Sequence, residues 1–363
     1  MSDLVGQALG QYELLDLVGK GGMATVYRAR QQSIGRVVAV KVLPAAFMHE
    51  ETFLKRFQRE VQAIALMQHP RVLPVHDYGE DRGIPYIVMA YIDGGSLAQR
   101  IKEEGPLPLP DVVRLIEQIA EGLDYAHEQG VIHRDFKPSN VLLDSRGNPY
   151  LADFGIAKVS QETAQLTGSG IVGTPFYMAP EMFSGDAPST SVDIYALGVT
   201  LYQMLSGELP YKGDTPVQLM YAHLNQPVPD ICAVRADAPR AVQQVLERAM
   251  AKDPADRYQS AGDLAAALRQ AAEELGMVEE APTVEAGSAA DVTFEARPTP
   301  PEISQPAPPP PAPSIPSPPI SVAEAEPKPA PAWRRNWRMI VAVGTAVLLY
   351  SVAIRLILFV ISQ

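Results

Sequence analysis

Residues 339–361 read MIVAVGTAVLLYSVAIRLILFVI, an apolar stretch whose one charged residue is Arg355. As a helix it would be about 34 Å long, enough to cross a hydrocarbon core of roughly 30 Å. Just before it stand Trp333, Arg334, Arg335, Asn336, Trp337 and Arg338. Arginines between tryptophans suit the cytoplasmic face of a membrane interface. Only Ser362 and Gln363 follow the apolar stretch. The sequence therefore predicts one C-terminal transmembrane helix over 339–361 and an interface segment over 333–338. The rest of the chain is expected in the cytoplasm, and the C-terminus on the far side. Arg355 lies six residues from Ile361, so it can either snorkel to the interface or pair with a partner. Ala342 and Ala346 have the spacing of small residues at helix–helix contacts.

The prolines divide the chain a second time. Sixteen of the 34 lie between Pro282 and Pro331, including the run Pro308 to Pro311. From Glu279 to Ala332 eight acidic and two basic residues contribute −6, and Phe294 is the one aromatic residue. Such a stretch buries too little apolar surface to offset its ordering entropy. It reads as a disordered, acidic linker over 279–332, serving either as a spacer or as a docking segment for a proline-recognising partner.

Residues 1–278 must then hold any folded domain. They carry −10 of the chain's net −12, which argues against a nucleic-acid binder. The single cysteine, Cys232, rules out an internal disulfide framework and a cysteine-built zinc site. Tyr12 to Val18 reads as a strand, and the run Gly19-Lys20-Gly21-Gly22-Met23-Ala24-Thr25-Val26 follows it. Glycines let backbone N–H groups approach a phosphate, although a glycine turn alone is common. A second strand, Val37 to Leu43, sets Lys41 among apolar residues. Thr52 to Gln68 has helical periodicity with Phe53, Phe57, Val61 and Ile64 on one side. Glu60 falls on that same side, where a carboxylate needs a cation, and Lys41 is an available partner.

Tyr86 to Met89 forms a further strand that runs into Asp93-Gly94-Gly95. A long helix is expected from an N-cap at Asp111 to His127, stopped by Gly130. Its inward side is Val113, Ile116, Ala120, Leu123 and His127. The chain then reads His133-Arg134-Asp135-Phe136-Lys137-Pro138-Ser139-Asn140, later Asp153-Phe154-Gly155, and later still Ala179-Pro180-Glu181.

In order and spacing these motifs, with Val38-Ala39-Val40-Lys41 upstream, resemble the protein-kinase signature set. The chain is similar to the eukaryotic-like (Hanks-type) serine/threonine protein kinases of bacteria, of the single-pass membrane-anchored kind. The resemblance covers residues 11–272. It implies an α+β, bilobal protein-kinase fold, with a β-rich N-lobe carrying one helix and a mainly α C-lobe. It also implies a non-specific serine/threonine kinase that moves the γ-phosphate of ATP onto Ser/Thr hydroxyls of cytoplasmic proteins, with Mg²⁺.

Roles follow residue by residue from the resemblance. Gly19, Lys20, Gly21 and Gly22 belong to the loop over the phosphates, although Ala24 stands where the family has its third glycine. Val26 packs on adenine, Ala39 is a further cofactor-binding residue, Met89 is the gatekeeper, and backbone groups of Ala90 and Ile92 bond the base. Lys41 contacts the α- and β-phosphates and pairs with Glu60. Asp135 is the catalytic base and Lys137 reaches the γ-phosphate. Asn140 and Asp153 are the metal ligands. Glu181 pairs with Arg257, Asp193 buttresses the catalytic loop, and His133 supports that loop's backbone.

Arg134 implies a receptor for a phosphate on the activation loop, with Thr167 and Ser169 as autophosphorylation sites and Thr174 facing the substrate. Protein substrates, self-association and the lipid bilayer are the expected partners. The alternative is a pseudokinase-type scaffold, which the presence of Lys41, Asp135, Asn140 and Asp153 leaves without support.

Overall fold

The structure, a computed structural model, describes residues 4–21, 24–44, 59–154, 175–184 and 188–274. All lie within the unit Met1–Gly287. The expected linker, interface segment and membrane span (279–361), Gly22, Phe53, Phe57, Thr167, Ser169 and Thr174 fall outside the described residues. Among the described residues no helix is long and apolar enough to cross a membrane.

The first lobe is built on β1 (Ala8–Leu9), β2 (Tyr12–Lys20), β3 (Thr25–Gln31), β4 (Arg36–Val42), β5 (Val75–Asp81) and β6 (Ile84–Ala90). They form one antiparallel sheet in the order β1-β2-β3-β4-β6-β5. The two-residue period of a strand sorts the side chains of β4 and β6 onto opposite faces. Val38, Val40, Val42, Tyr86 and Val88 join Tyr12, Leu14 and Tyr27 in one apolar cluster. Ala39, Ile87 and Met89 belong to the other cluster, which continues into the second lobe. Lys41 opposes Ile87, and Ala39 opposes Met89. Three residues expected around a nucleotide, Ala39, Lys41 and Met89, thus share one sheet face because of alternation alone.

Residues 59–65 are helical, with Val61 and Ile64 buried. The second lobe contains α1 (Leu97–Glu104), α2 (Leu109–Glu128), α3 (Ser191–Ser206), α4 (Pro216–Asn225), α5 (Arg240–Ala249) and α6 (Ala261–Glu273). Val113, Ile116, Ala120 and Leu123 of α2 are buried, as their spacing predicts. The helix begins before Asp111, which lies in its first turn while Pro108 occupies the cap. Proline suits the first turn, where the N–H it lacks would have had no intrahelical partner. Gly130 follows the helix end at φ 74°, as expected of a C-terminal stop. Helix α3 is buried nearly all round, the pattern of a central helix. The Asp124 carboxylate of α2 accepts the N–H groups of Ala261 and Gly262, both at 2.8 Å, which fixes the start of α6 against α2.

Candidate active site

A short hairpin assembles the polar centre. Strands β7 (Val141–Leu143) and β8 (Pro149–Leu151) pair antiparallel. The loop 131–140 leads into the first strand, and residues 152–154 leave the second. Ala152 donates its N–H to Asn140 O at 2.8 Å. Asn140 and Asp153, separated by 13 positions in sequence, are therefore neighbours across the base of one hairpin.

Asp135 sits in the preceding loop. Its Oδ2 accepts hydrogen bonds from Lys137 Nζ at 2.7 Å and from Asn140 Nδ2 at 3.2 Å. Asn140 Nδ2 also donates to Asp135 O at 2.8 Å. With its nitrogen thus engaged, Asn140 keeps its amide oxygen as an acceptor.

The loop is held from below by one carboxylate. Asp193 is 1% exposed and accepts the N–H of His133 and of Arg134, both at 2.8 Å. Arg134 adopts φ 61°, a left-handed conformation that costs a non-glycine residue about 1–3 kcal/mol unless its surroundings enforce it. The paired N–H bonds to Asp193 supply that enforcement. His133 is fully buried and its Nε2 meets Ala152 O at 2.9 Å. Burial lowers its pKa below the ordinary histidine value. It ties the loop to residue 152, which agrees with a supporting role.

Lys41 projects from β4 toward Asp153. Lys41 Nζ lies 2.7 Å from Asp153 Oδ1. Burial raises the Asp153 pKa, but the Lys41 charge and hydrogen bond outweigh burial and hold the carboxyl below its usual range. Among the described residues Lys41 forms an ion pair with Asp153, a contact that the sequence did not suggest. A lysine only 8% exposed needs a carboxylate within reach, and Asp153 supplies it. Glu60 is half-buried and is not without a partner.

Behind this pair is a small pocket lined by Ile64, Leu73, Val75, Ile87, Met89 and Phe154. Ala24, Val26, Ala90 and Ile92 pack against the same core. Ala90 donates its N–H to Pro74 O at 3.0 Å. Gly19, Lys20 and Gly21 lie at the end of β2 and beyond it, and Gly21 donates its N–H to Ala24 O at 2.9 Å. Most expected site residues are thus gathered along the edges of the two lobes.

Sequence reasoning did not account for three further residues. Gly94 passes so close to the hairpin that a Cβ there would clash with the backbone oxygen of Leu143, and only the doubled glycine marked this. His127 Nε2 meets Asp193 Oδ2 at 2.8 Å, where periodicity had only turned it inward. Phe154 packs its ring 4.6 Å from that of His133.

The oxygen donors fit a hard divalent cation. Asp153 offers a carboxylate and Asn140 an amide oxygen, whereas no cluster of three His, Cys, Asp or Glu side chains occurs among the described residues. A cation held by so few protein oxygens takes its other ligands from water or from phosphate.

The expected Glu181–Arg257 pair is present and two-pronged. Arg257 Nη1 and Nη2 donate to Glu181 at 2.7 and 2.8 Å, with the Arg257 side chain at 0% exposure.

Residues 12–269 match the family described as "Protein kinase domain". The chain is 43% identical over 267 residues to serine/threonine-protein kinase PknH of Mycobacterium bovis, covering 74% of this chain and 45% of that protein. It is 42% identical over 275 residues to serine/threonine-protein kinase PknD of Mycobacterium tuberculosis, covering 75% and 41%. The chain thus spans less than half the length of these curated relatives. The crystal structure of the Mycobacterium tuberculosis PknI kinase domain superposes with a TM-score of 0.61 at 32% identity, covering 74% of this chain and 98% of that one.

Proposed function

The chain belongs to the protein kinase family, and from that premise we propose that it is an active serine/threonine kinase using Mg²⁺-ATP. The observation that carries this reading is the set Lys41, Asp135, Lys137, Asn140 and Asp153 brought around one hairpin. The Ala90 carbonyl and the Ile92 N–H hold the adenine, between Val26 and Ala39 on one side and Met89 at the back. Gly19, Lys20, Gly21 and Gly22 cover the phosphates, and Lys41 binds the α- and β-phosphates. Asn140 and Asp153 hold the metal, which when bound neutralises charge developing on the phosphate oxygens.

Asp135 takes the proton of the substrate hydroxyl as that oxygen bonds to the γ-phosphorus. The bond from phosphorus to the β–γ bridging oxygen breaks, and its electron pair leaves with ADP. Lys137, 2.7 Å from Asp135, stabilises the transferring phosphoryl group. Arg134 receives an autophosphorylated Thr167 or Ser169. Residues 333–361 anchor the chain in a membrane with the catalytic unit on the cytoplasmic side, and self-association is one route to activation.

The deciding experiment incubates the detergent-solubilised full chain with radiolabelled Mg²⁺-ATP and a basic protein substrate. Incorporation on serine and threonine is expected, and Asp135→Asn should lose at least about 100-fold in rate. Absence of incorporation would favour a non-catalytic scaffold. Deleting 333–361 should release the chain from membranes on fractionation.

A further inference from the structure

Residues 175–178 lie between Thr174, read above as facing the substrate, and the Ala179-Pro180-Glu181 motif. Tyr177 Oη donates to Gln203 Oε1 of α3 at 2.7 Å. Tyr177, Ala179 and Met182 pack in one apolar cluster with Tyr195, Tyr211 and Ala222. His223 of α4 stands inside this packing at 0% exposure. Its ring lies 4.9 Å from that of Tyr211, 5.7 Å from that of Tyr195 and 6.5 Å from that of Phe183.

The neighbours of His223 fix its proton. Burial and then the charge of Lys252, whose Nζ donates to His223 O at 2.7 Å, disfavour a second proton on the ring. Tyr195 Oη meets Nδ1 at 2.8 Å. The Tyr195 hydroxyl proton needs an acceptor in this buried place, and Nδ1 supplies it. A neutral ring that accepts at Nδ1 carries its proton on Nε2. Nε2 is buried and makes no hydrogen bond among the described residues. The Phe176 backbone carbonyl is close enough to favour a proton on the ring. With Nδ1 taken, that carbonyl is the acceptor within reach of Nε2.

We propose that His223 is a positioning residue for the protein substrate, its Nε2–H taking the Phe176 carbonyl when a substrate seats beside residues 175–178. The bond is gained with the substrate, so it favours substrate binding and leaves ATP binding unaffected. Tyr195 acts one step further back, by keeping the proton on Nε2. The inference rests on the reading of the chain as a kinase whose Thr174 faces the substrate.

Steady-state kinetics of the detergent-solubilised full chain tests it, with myelin basic protein and Mg²⁺-ATP varied in turn. His223→Leu should raise KM for the protein substrate about threefold or more, with KM for ATP unchanged. Tyr195→Phe, which removes one oxygen and frees the ring proton to move to Nδ1, should shift KM in the same direction. It carries the test should His223→Leu fold poorly. His223→Gln, whose amide N–H reaches near the Nε2 position, should restore KM toward the wild-type value. A fall in kcat with both KM values unchanged would report lost folded protein and overturns the positioning role. So does a parallel rise in KM for ATP, or a failure of glutamine to rescue. A wild-type chain that phosphorylates nothing refutes the kinase reading itself and takes the inference with it.

Discussion

His127 and Asp193 meet at 2.8 Å beneath the loop that carries Asp135. The same Asp193 carboxylate takes the N–H groups of His133 and Arg134, so a contact between α2 and α3 sets the backbone of the candidate catalytic loop. Asp193→Asn replaces one acceptor oxygen by a donor facing N–H groups. The strained φ of Arg134 then loses its restraint. The expected result is a kcat lower by about tenfold or more with KM for ATP little changed, since Lys41 and Met89 lie elsewhere. Steady-state kinetics reads both. His127→Ala, which leaves the two backbone bonds in place, should have a smaller effect.

Arg257 and Glu181 form the second buried relationship. Glu181→Gln leaves a fully buried guanidinium without its counter-charge and should cost about 3–5 kcal/mol of stability. Arg257→Lys should fail to compensate, because one ammonium cannot reproduce both prongs to Glu181 or the further bonds to Ala251 O and Ser191 O. Urea unfolding of each variant reads the loss.

Gly198 lies where α3 crosses α5. A Cβ there would stand 2.8 Å from Ala249 Cβ and 2.9 Å from Met250 Cγ. Gly198→Ala raises helix propensity yet should destabilise by about 1–3 kcal/mol, since the overpacked helices must separate. A lowered urea midpoint is the expected observation.

Acid sensitivity follows from His223, which is fully buried with Nδ1 2.8 Å from Tyr195 Oη. Burial, then the nearby Lys252 charge, lowers its pKa from 6.5 to about 4. Its folded form binds fewer protons than the unfolded chain between those values. Its contribution is therefore complete above about pH 6.5 and lost as pH falls toward 4. The shift corresponds to about 3 kcal/mol. His223→Gln should lose less stability than wild type over that interval, read by urea unfolding at several pH values.

Much of the site was legible because its residues fall in short contiguous motifs. His133 to Asn140 occupies eight consecutive positions, and a loop of that length places its own members near one another. Alternation likewise set Ala39, Lys41 and Met89 on one face. The meeting of Lys41 with Asp153 was not legible, because it joins residues 112 positions apart in sequence. Asp111 misled for a different reason. It is a good capping residue, but Pro108 and Pro110 allow the helix to begin earlier.

The sequence by itself determined the order of the motifs, the identity of every ionisable group at the site, and the split into an apolar tail, a proline-rich stretch and a foldable region. These are properties of composition and spacing, which act over a few residues. Tertiary structure alone decided which charges meet: Lys41 with Asp153, His127 with Asp193, and the hairpin that sets Asn140 beside Asp153. Such pairings depend on distances of a few ångströms between segments far apart in the chain, and only the packed core fixes those distances.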